Sequence, residues 1–180
     1  LDFKITGTSI LFDNNHKYLV ESLFKGLFAA FLVVSLLMTI LFKSWKMVFI
    51  SLIPNTLPLL ATGAFLGFTG IALDATSSII FTISFGIAVD DTIHFLSRYK
   101  IERMKGVGIE ESIHRSILIT GKAIILTTIV LFAGFLILTT SNLSGTFKVG
   151  LLTSLTLISA LIADLYLIPV LIRIFFKKEL

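Results

Sequence analysis

Residues 75–98 read ATSSIIFTISFGIAVDDTIHFLSR, and this stretch decides what kind of molecule the chain is. From Ala75 to Val89 it carries no charge; Asp90 and Asp91 follow, and no further charge comes until Arg98. A helix crosses the hydrocarbon of a bilayer with about 20 mostly apolar residues. The stretch reaches that length only if the two carboxylates lie inside it. An acidic residue at mid-membrane costs about 2.5–3.5 kcal/mol on insertion scales, so such residues mark sites of function.

Working outward, four more apolar runs appear: Gly26–Phe42, Met47–Leu73, Ala123–Phe147 and Val149–Ile172, the last interrupted by Asp164. Lys25 borders the first and can snorkel. The reading is an all-α, polytopic membrane bundle of five transmembrane helices, with spans at about 22–42, 46–68, 74–97, 119–140 and 147–172. Composition agrees. Of 180 residues 56% are hydrophobic and 14% charged, about half the charge of a soluble domain. Mean hydropathy is +1.00. These values exclude disorder. Cysteine is absent, which removes disulfides and thiolate metal sites, and His16, His94 and His114 are too scattered for a metal. The net charge of +4 would suggest nucleic acid in a soluble protein. Here the basic residues flank apolar runs, so they report topology and no nucleic acid is expected.

Lys43 and Lys46 lie between the first two spans. Arg98, Lys100, Arg103, Lys105, Arg115 and Lys122 lie between the third and fourth, and Arg173, Lys177 and Lys178 follow the fifth. The opposite side has Lys148, with Lys4, Lys17 and Lys25 in the N-terminal arm. The positive-inside rule puts the N-terminus outside and the C-terminus in the cytoplasm. The chain does not start with Met and carries no signal peptide pattern, so it reads as an excerpt of a longer protein.

Leu1–Ile5 alternates and runs into Thr6-Gly7-Thr8, a strand end and turn. Asn14 or Asn15 is a candidate cap for the first helix. Phe68–Asp74 and Ser141–Thr146 read as short external loops. Residues 99–115 read as a long cytoplasmic loop whose amphipathic end, Glu110–Ile119, suits the membrane interface. Trp45 stands where an interfacial aromatic belongs. Pro54 and Pro58 in the second span free the carbonyls of Ile50 and Pro54, which makes them either a hinge or a tolerated kink. Gly63 and Gly67 have a spacing suited to close helix contact.

Asp90 and Asp164 lie about 12–14 Å above the cytoplasmic charge boundary, and Thr127 and Thr128 about 8–9 Å above it, at 1.5 Å per residue. Ser77, Ser84 and Asp91 share a seven-residue spacing; so do Thr120, Thr127, Gly134 and Ser141; Thr153, Thr156, Ala160 and Asp164 share a face. Such stripes face protein or water. The hydroxyls alone are also accounted for as interhelical hydrogen bonding. The aspartates are harder to explain that way, because no Lys or Arg stands at their depth and adjacent carboxylates repel. At least one of the pair is suited to take up and release a proton near neutral pH. His94, within a turn of both, suits a cytoplasmic proton shuttle or a wetted helix end. Asp164 is open between a relay role and a hydrogen bond to a neighbouring helix.

Gly86-Ile87-Ala88-Val89-Asp90-Asp91-Thr92-Ile93-His94-Phe95-Leu96 resembles the GxxxD helix of the resistance–nodulation–division (RND) superfamily, in its MMPL-like branch related to the sterol-sensing domain. Ser97-Arg98-Tyr99, Gly121-Lys122-Ala123-Ile124 with Thr127-Thr128 and Gly134-Phe135, Pro54-Asn55-Thr56-Leu57-Pro58, and Asp164-Leu165 before Pro169 fit the same branch. The resemblance spans residues 6–176.

The resemblance implies the C-terminal transmembrane half of an exporter. Residues 1–19 would end an external porter domain and enter the first helix, and 20–180 would form the five-helix domain. It implies a secondary active exporter, not an enzyme, with proton-driven extrusion of a lipid-like or amphiphilic substrate. By the resemblance Asp90 and Asp91 would be the proton relay with Thr127, and Gly86, Thr128 and Gly134 belong to the motif and its packing; His94 and Asp164 as further relay candidates, and Pro54 and Pro58 as a candidate hinge, come from the reading of the residues above. No cofactor or metal is implied; the coupling ion would be a proton. The implied partners are membrane lipids, the substrate, the N-terminal half of the same transporter and a further copy in a homo-oligomer. The implied location is the bacterial or archaeal inner membrane, multi-pass. Two departures stand out: many relatives of this branch have Asp-Tyr where this chain has Asp90-Asp91, and multidrug pumps carry Lys at the Asp90 position. A non-transporting sterol- or lipid-sensing or scaffold module is the alternative, and it needs no aspartate pair. An intramembrane aspartyl protease is disfavoured, because its Gly-x-Gly-Asp motif is replaced by Ala88-Val89-Asp90.

Overall fold

The computed structural model describes residues 8–71 and 73–176. It is all-helical. Helix α1 spans Thr8–Phe42, α2 Trp45–Thr69, α3 Ala75–Met104, α4 Ile109–Ser116, α5 Lys122–Ile137, α6 Ser144–Ile162 and α7 Ile168–Phe175. A π-helical segment, Ile117–Gly121, joins α4 to α5; a second, Ala163–Leu167, joins α6 to α7. Among the described residues five continuous helical runs are long and apolar enough to cross a membrane: Val20–Phe42, Trp45–Thr69, Thr76–Met104, Ile109–Thr140 and Ser144–Phe175.

Local chemistry explains the boundaries. α2 stops where Gly70 turns left-handed at φ 68° and returns its N–H to Leu66. Asp74 caps α3 by accepting from the Ser77 N–H at 2.8 Å. α2 runs unbroken through Pro54 and Pro58, both buried. α1 begins at Thr8, so Asn14 and Asn15 lie within the helix and neither is its cap. The strand expected at Leu1–Ile5 lies outside the described residues.

The long loop expected at 99–115 is a correction. α3 continues to Met104, and only a short turn, with Gly106 at φ 80°, separates it from α4. The reason is Glu102. It is 1% exposed and meets Arg98 at 2.6 Å, Lys105 at 3.0 Å and Arg115 at 3.7 Å. Charges that read as solvated are instead matched against one another inside helical structure. α4 packs on α3 with Ile109, Ser112, Ile113 and Ser116 buried, while Glu110, Glu111, His114 and Arg115 stay exposed.

α6 is central, packing against α2, α3 and α5, while α1 lies against α2 and α3. One buried cluster runs from Val34 and Met38 through Ile50, Phe85, Phe95 and Leu152 to Ile172. The ends of α1, α3 and α7 meet at one pole. There Lys100 donates to the Leu41 carbonyl at 2.6 Å, Arg173 forks onto Glu110, and Lys46 sits over the Phe176 ring. At the other pole Lys148 at the start of α6 reaches Asp74 at 2.6 Å. α5 and much of α1 expose large apolar side chains, among them Leu36, Ile40, Leu126 and Val130.

Candidate functional site

The site begins with how α3 divides its faces. Phe81, Ala88, Thr92, Phe95 and Tyr99 are buried and lie along one helical stripe. Ile87, Asp90, Asp91 and His94 therefore fall on the flank. There they line a groove of about 470 Å³ whose other wall comes from the second π segment's counterpart before α5 and from α5 itself: Ile119, Thr120, Ile124 and Thr127. Asp90 is widely exposed, with His94 Nε2 3.6 Å from its Oδ1. Asp91 is half-buried between groove and core. The Thr127 hydroxyl faces the groove and donates to the Ala123 and Ile124 carbonyls of its own helix, at 3.1 and 3.0 Å. The groove thus gathers Asp90, Asp91, His94 and Thr127 from two helices into one recess with an otherwise largely apolar lining.

Asp164 is not in that groove. The Ala163–Leu167 π segment turns it into the core, where it is 1% exposed. Thr92 Oγ1 donates to its Oδ1 at 2.6 Å, and also lies 3.3 Å from Asn55 Oδ1 on α2. The Asn55 amide nitrogen donates to the Ser51 carbonyl at 2.7 Å, which leaves its oxygen facing Thr92. A further buried polar contact, Thr62 to Thr156 at 2.7 Å, ties α2 to α6 nearby along the same helices.

Other motif residues separate by burial. Thr128 is buried. A Cβ added at Gly86, Gly67 or Gly134 would meet nothing within 4 Å, and at Gly63 only the tip of Phe81 at 3.9 Å. None of these is a close helix contact among the described residues. Close approach occurs at Gly150 and Gly121 instead, the latter against Leu165. Gly63 and Gly67 help line a second, apolar groove of about 360 Å³ with Leu23, Phe24 and Leu27 of α1.

Thr92, Asn55 and Glu102 are the polar residues that sequence reasoning missed as partners. Aligning Ser77 and Ser84 with Asp91 traced one edge of the buried face. Its centre is set by the large apolar residues Phe81, Phe95 and Tyr99, and on that criterion Thr92 belongs inside. No group of three His, Cys, Asp or Glu among the described residues could hold a metal ion.

These features define a polytopic α-helical membrane protein with ionisable side chains inside its spans. The chain belongs to the MMPL family, whose model matches residues 1–178. A protein of Methanocaldococcus jannaschii, named "Putative membrane protein", is 32% identical over 123 residues, which cover 68% of this chain and 32% of that relative. The matched part is therefore about a third of the relative's length.

Proposed function

We propose that this chain is the C-terminal transmembrane half of a secondary active exporter, in which proton entry drives extrusion of a lipid-like or amphiphilic substrate. MMPL membership supports a transporter-like or lipid-related membrane role. The observation that carries the finer reading is the groove: two adjacent carboxylates and a histidine one turn away, facing hydroxyls on the next span. Carboxylates placed inside a span are costly and suit an ion pathway. Asp90 and Asp91 are the coupling groups, His94 passes protons toward the basic pole, and Thr127 contributes a hydroxyl. Asp164 belongs to the same relay as a buried member. The N-terminal half covers the open side of the groove. The apolar recess between α1 and α2 suits the hydrocarbon part of a substrate. One charge moving down 100 mV releases about 2.3 kcal/mol, enough for a few protons to drive modest work. No enzyme chemistry and no cofactor are part of the reading, and the setting is the bacterial or archaeal inner membrane.

The test is export by the full-length protein in proteoliposomes under an imposed pH gradient. Asn keeps the volume and hydrogen bonding of Asp but does not titrate. Asp90→Asn and Asp91→Asn should insert normally, and at least one should reduce export to the level of empty vesicles. Thr127→Ala should impair it less. His94→Ala should move the pH optimum. Wild-type export by both Asn variants, with the same dependence on the gradient, would sink the relay and favour a lipid-sensing module.

A further inference from the structure

The cluster of Asn55, Thr92 and Asp164 stands on the core side of α3, apart from the groove, and its hydrogen bonding is out of balance. Asp164 is 1% exposed; its Oδ1 accepts from Thr92, and its Oδ2 has no partner among the described residues. Asn55 presents its carbonyl oxygen, because its amide nitrogen is turned to Ser51. Thr92 has one hydroxyl proton and two acceptors competing for it, at 2.6 and 3.3 Å. Three buried acceptor oxygens therefore share one donor, and a buried acceptor without a donor is unfavourable.

The elements packed on the cluster bring no cation to restore the balance. α2 has no ionisable side chain between Met47 and Thr69, and α6 has none between Val149 and Ile162. On α7, Arg173 is bound to Glu110. On the π segment itself Tyr166 is 72% exposed. On α3 the charged group whose field reaches Asp164 is Asp91, of the same sign. A hydrogen on the Asp164 carboxyl supplies the missing donor and removes the like-charge opposition.

We propose that Asn55, Thr92 and Asp164 form a second, buried proton-binding site, back to back across α3 with the Asp90–Asp91 groove. With the proton in place, the carboxyl, the Thr92 hydroxyl and the Asn55 oxygen close a hydrogen-bonded contact joining α2, α3 and the Ala163–Leu167 segment. When the O–H bond breaks, the electron pair stays on the carboxylate and the proton passes to water. The carboxylate then needs solvent, so α2 and the π segment must part from α3 to admit it. π segments inside α-helices recur at functional sites. Thr92 adjoins Asp91 in sequence, so movement of either site is felt at the other. The proposal deepens the export reading by giving the relay a second proton and a mechanical consequence.

The experiment is infrared spectroscopy of the purified full-length protein in lipid, titrated through neutral pH, with unlabelled and ¹³C-aspartate-labelled samples. The expected result is a protonated-carboxyl band that shifts with the aspartate label. It should persist in the Asp90→Asn, Asp91→Asn double variant and disappear in Asp164→Asn. Thr92→Val, which removes the hydrogen-bond donor, should move the band in frequency without abolishing it. This last variant decides the matter if Asp164→Asn does not fold. Absence of such a band, or its survival in Asp164→Asn, overturns the proposal. So does its loss on adding sodium chloride at constant pH where potassium chloride leaves it unchanged, which would make the cluster a sodium site. Because no step measures export, a negative result here is separate from failure of the groove assignment in the transport assay.

Discussion

At the scale of single residues, glycine shows how far spacing differs from contact. Gly134 sits in a motif and Gly63 and Gly67 have the separation of a helix-contact pair, yet a side chain at these positions meets almost nothing. Gly150 belongs to no such pattern. A Cβ there would stand 2.7 Å from the Phe135 carbonyl oxygen and 2.9 Å from Leu138 Cβ and the Thr139 nitrogen. Two of those three atoms are backbone, so relief requires α6 to move away from the end of α5. Gly150→Ala should therefore lower stability by about 1–3 kcal/mol, the usual cost of overpacking. Gly134→Ala should raise it by about 0.5–1 kcal/mol, because alanine is the better helix former and the site is open. Thermal unfolding of the protein in detergent reads both. A Gly150→Ala variant that melts with the wild type would refute the close α5–α6 approach. The sequence does not reveal this contact because a glycine's neighbour across a helix interface depends on the tertiary register of two helices, which no single-helix pattern contains.

At the scale of elements, hydrophobic length was readable and polar partnership was not. The spans could be marked from the sequence because membrane crossing is a one-dimensional property of each segment. The helical extension of α3 to Met104 could not, because Arg98, Glu102, Lys105 and Arg115 look solvated until their mutual pairing is known. The groove was partly legible: its α3 residues come from one motif, and its α5 hydroxyl from a depth count. Asp164 was noticed for its cost in a membrane, while its partners Thr92 and Asn55 follow only from packing. The opposite pole offers a prediction at this scale. Asp74 is partly buried, which alone would raise its pKa. Hydrogen bonds from Lys148 Nζ, the Ser77 N–H and the Ser77 hydroxyl outweigh that and hold it below the ordinary aspartate value of 3.8. A folded-state pKa below the unfolded one contributes stability above the unfolded value and loses it as pH falls through the folded value. The link between the start of α3 and the start of α6 should accordingly be intact at neutral pH and weaken only below about pH 4. Melting temperatures of wild type and Asp74→Asn should differ at neutral pH and converge as pH falls below that point. A difference that stays constant across the titration would show that the Asp74 charge contributes nothing to this junction.

At the scale of the whole molecule, the five crossings and the contacts at each pole leave a single binary choice. Lys46, Lys100 and Arg173 are brought to one pole by contacts with Phe176, the Leu41 carbonyl and Glu110. Lys148 and Asp74 meet at the other. Among the described residues these contacts set Lys46, Lys100 and Arg173 apart from Lys148, and the remaining question is which pole faces the cytoplasm. By the linear count eleven of the 15 lysines and arginines fall on the side of the membrane that includes Lys46, Lys100 and Arg173, and the positive-inside rule assigns that side to the cytoplasm. The chain has no cysteine of its own, so one introduced thiol reports one position. Gly108, in the turn before α4, suits the purpose: it is exposed, its φ is −59°, and a side chain there meets nothing within 4 Å. Gly106 nearby would be strained at φ 80°. Asn142, exposed between α5 and α6, serves the other pole. In intact cells an impermeant thiol reagent should label Asn142→Cys and reach Gly108→Cys only after permeabilisation. The reverse pattern would invert the bundle. His94, one turn from Asp90 toward the basic pole, would then lie on the external side of the pair, and the direction of proton passage assigned to it would reverse with it.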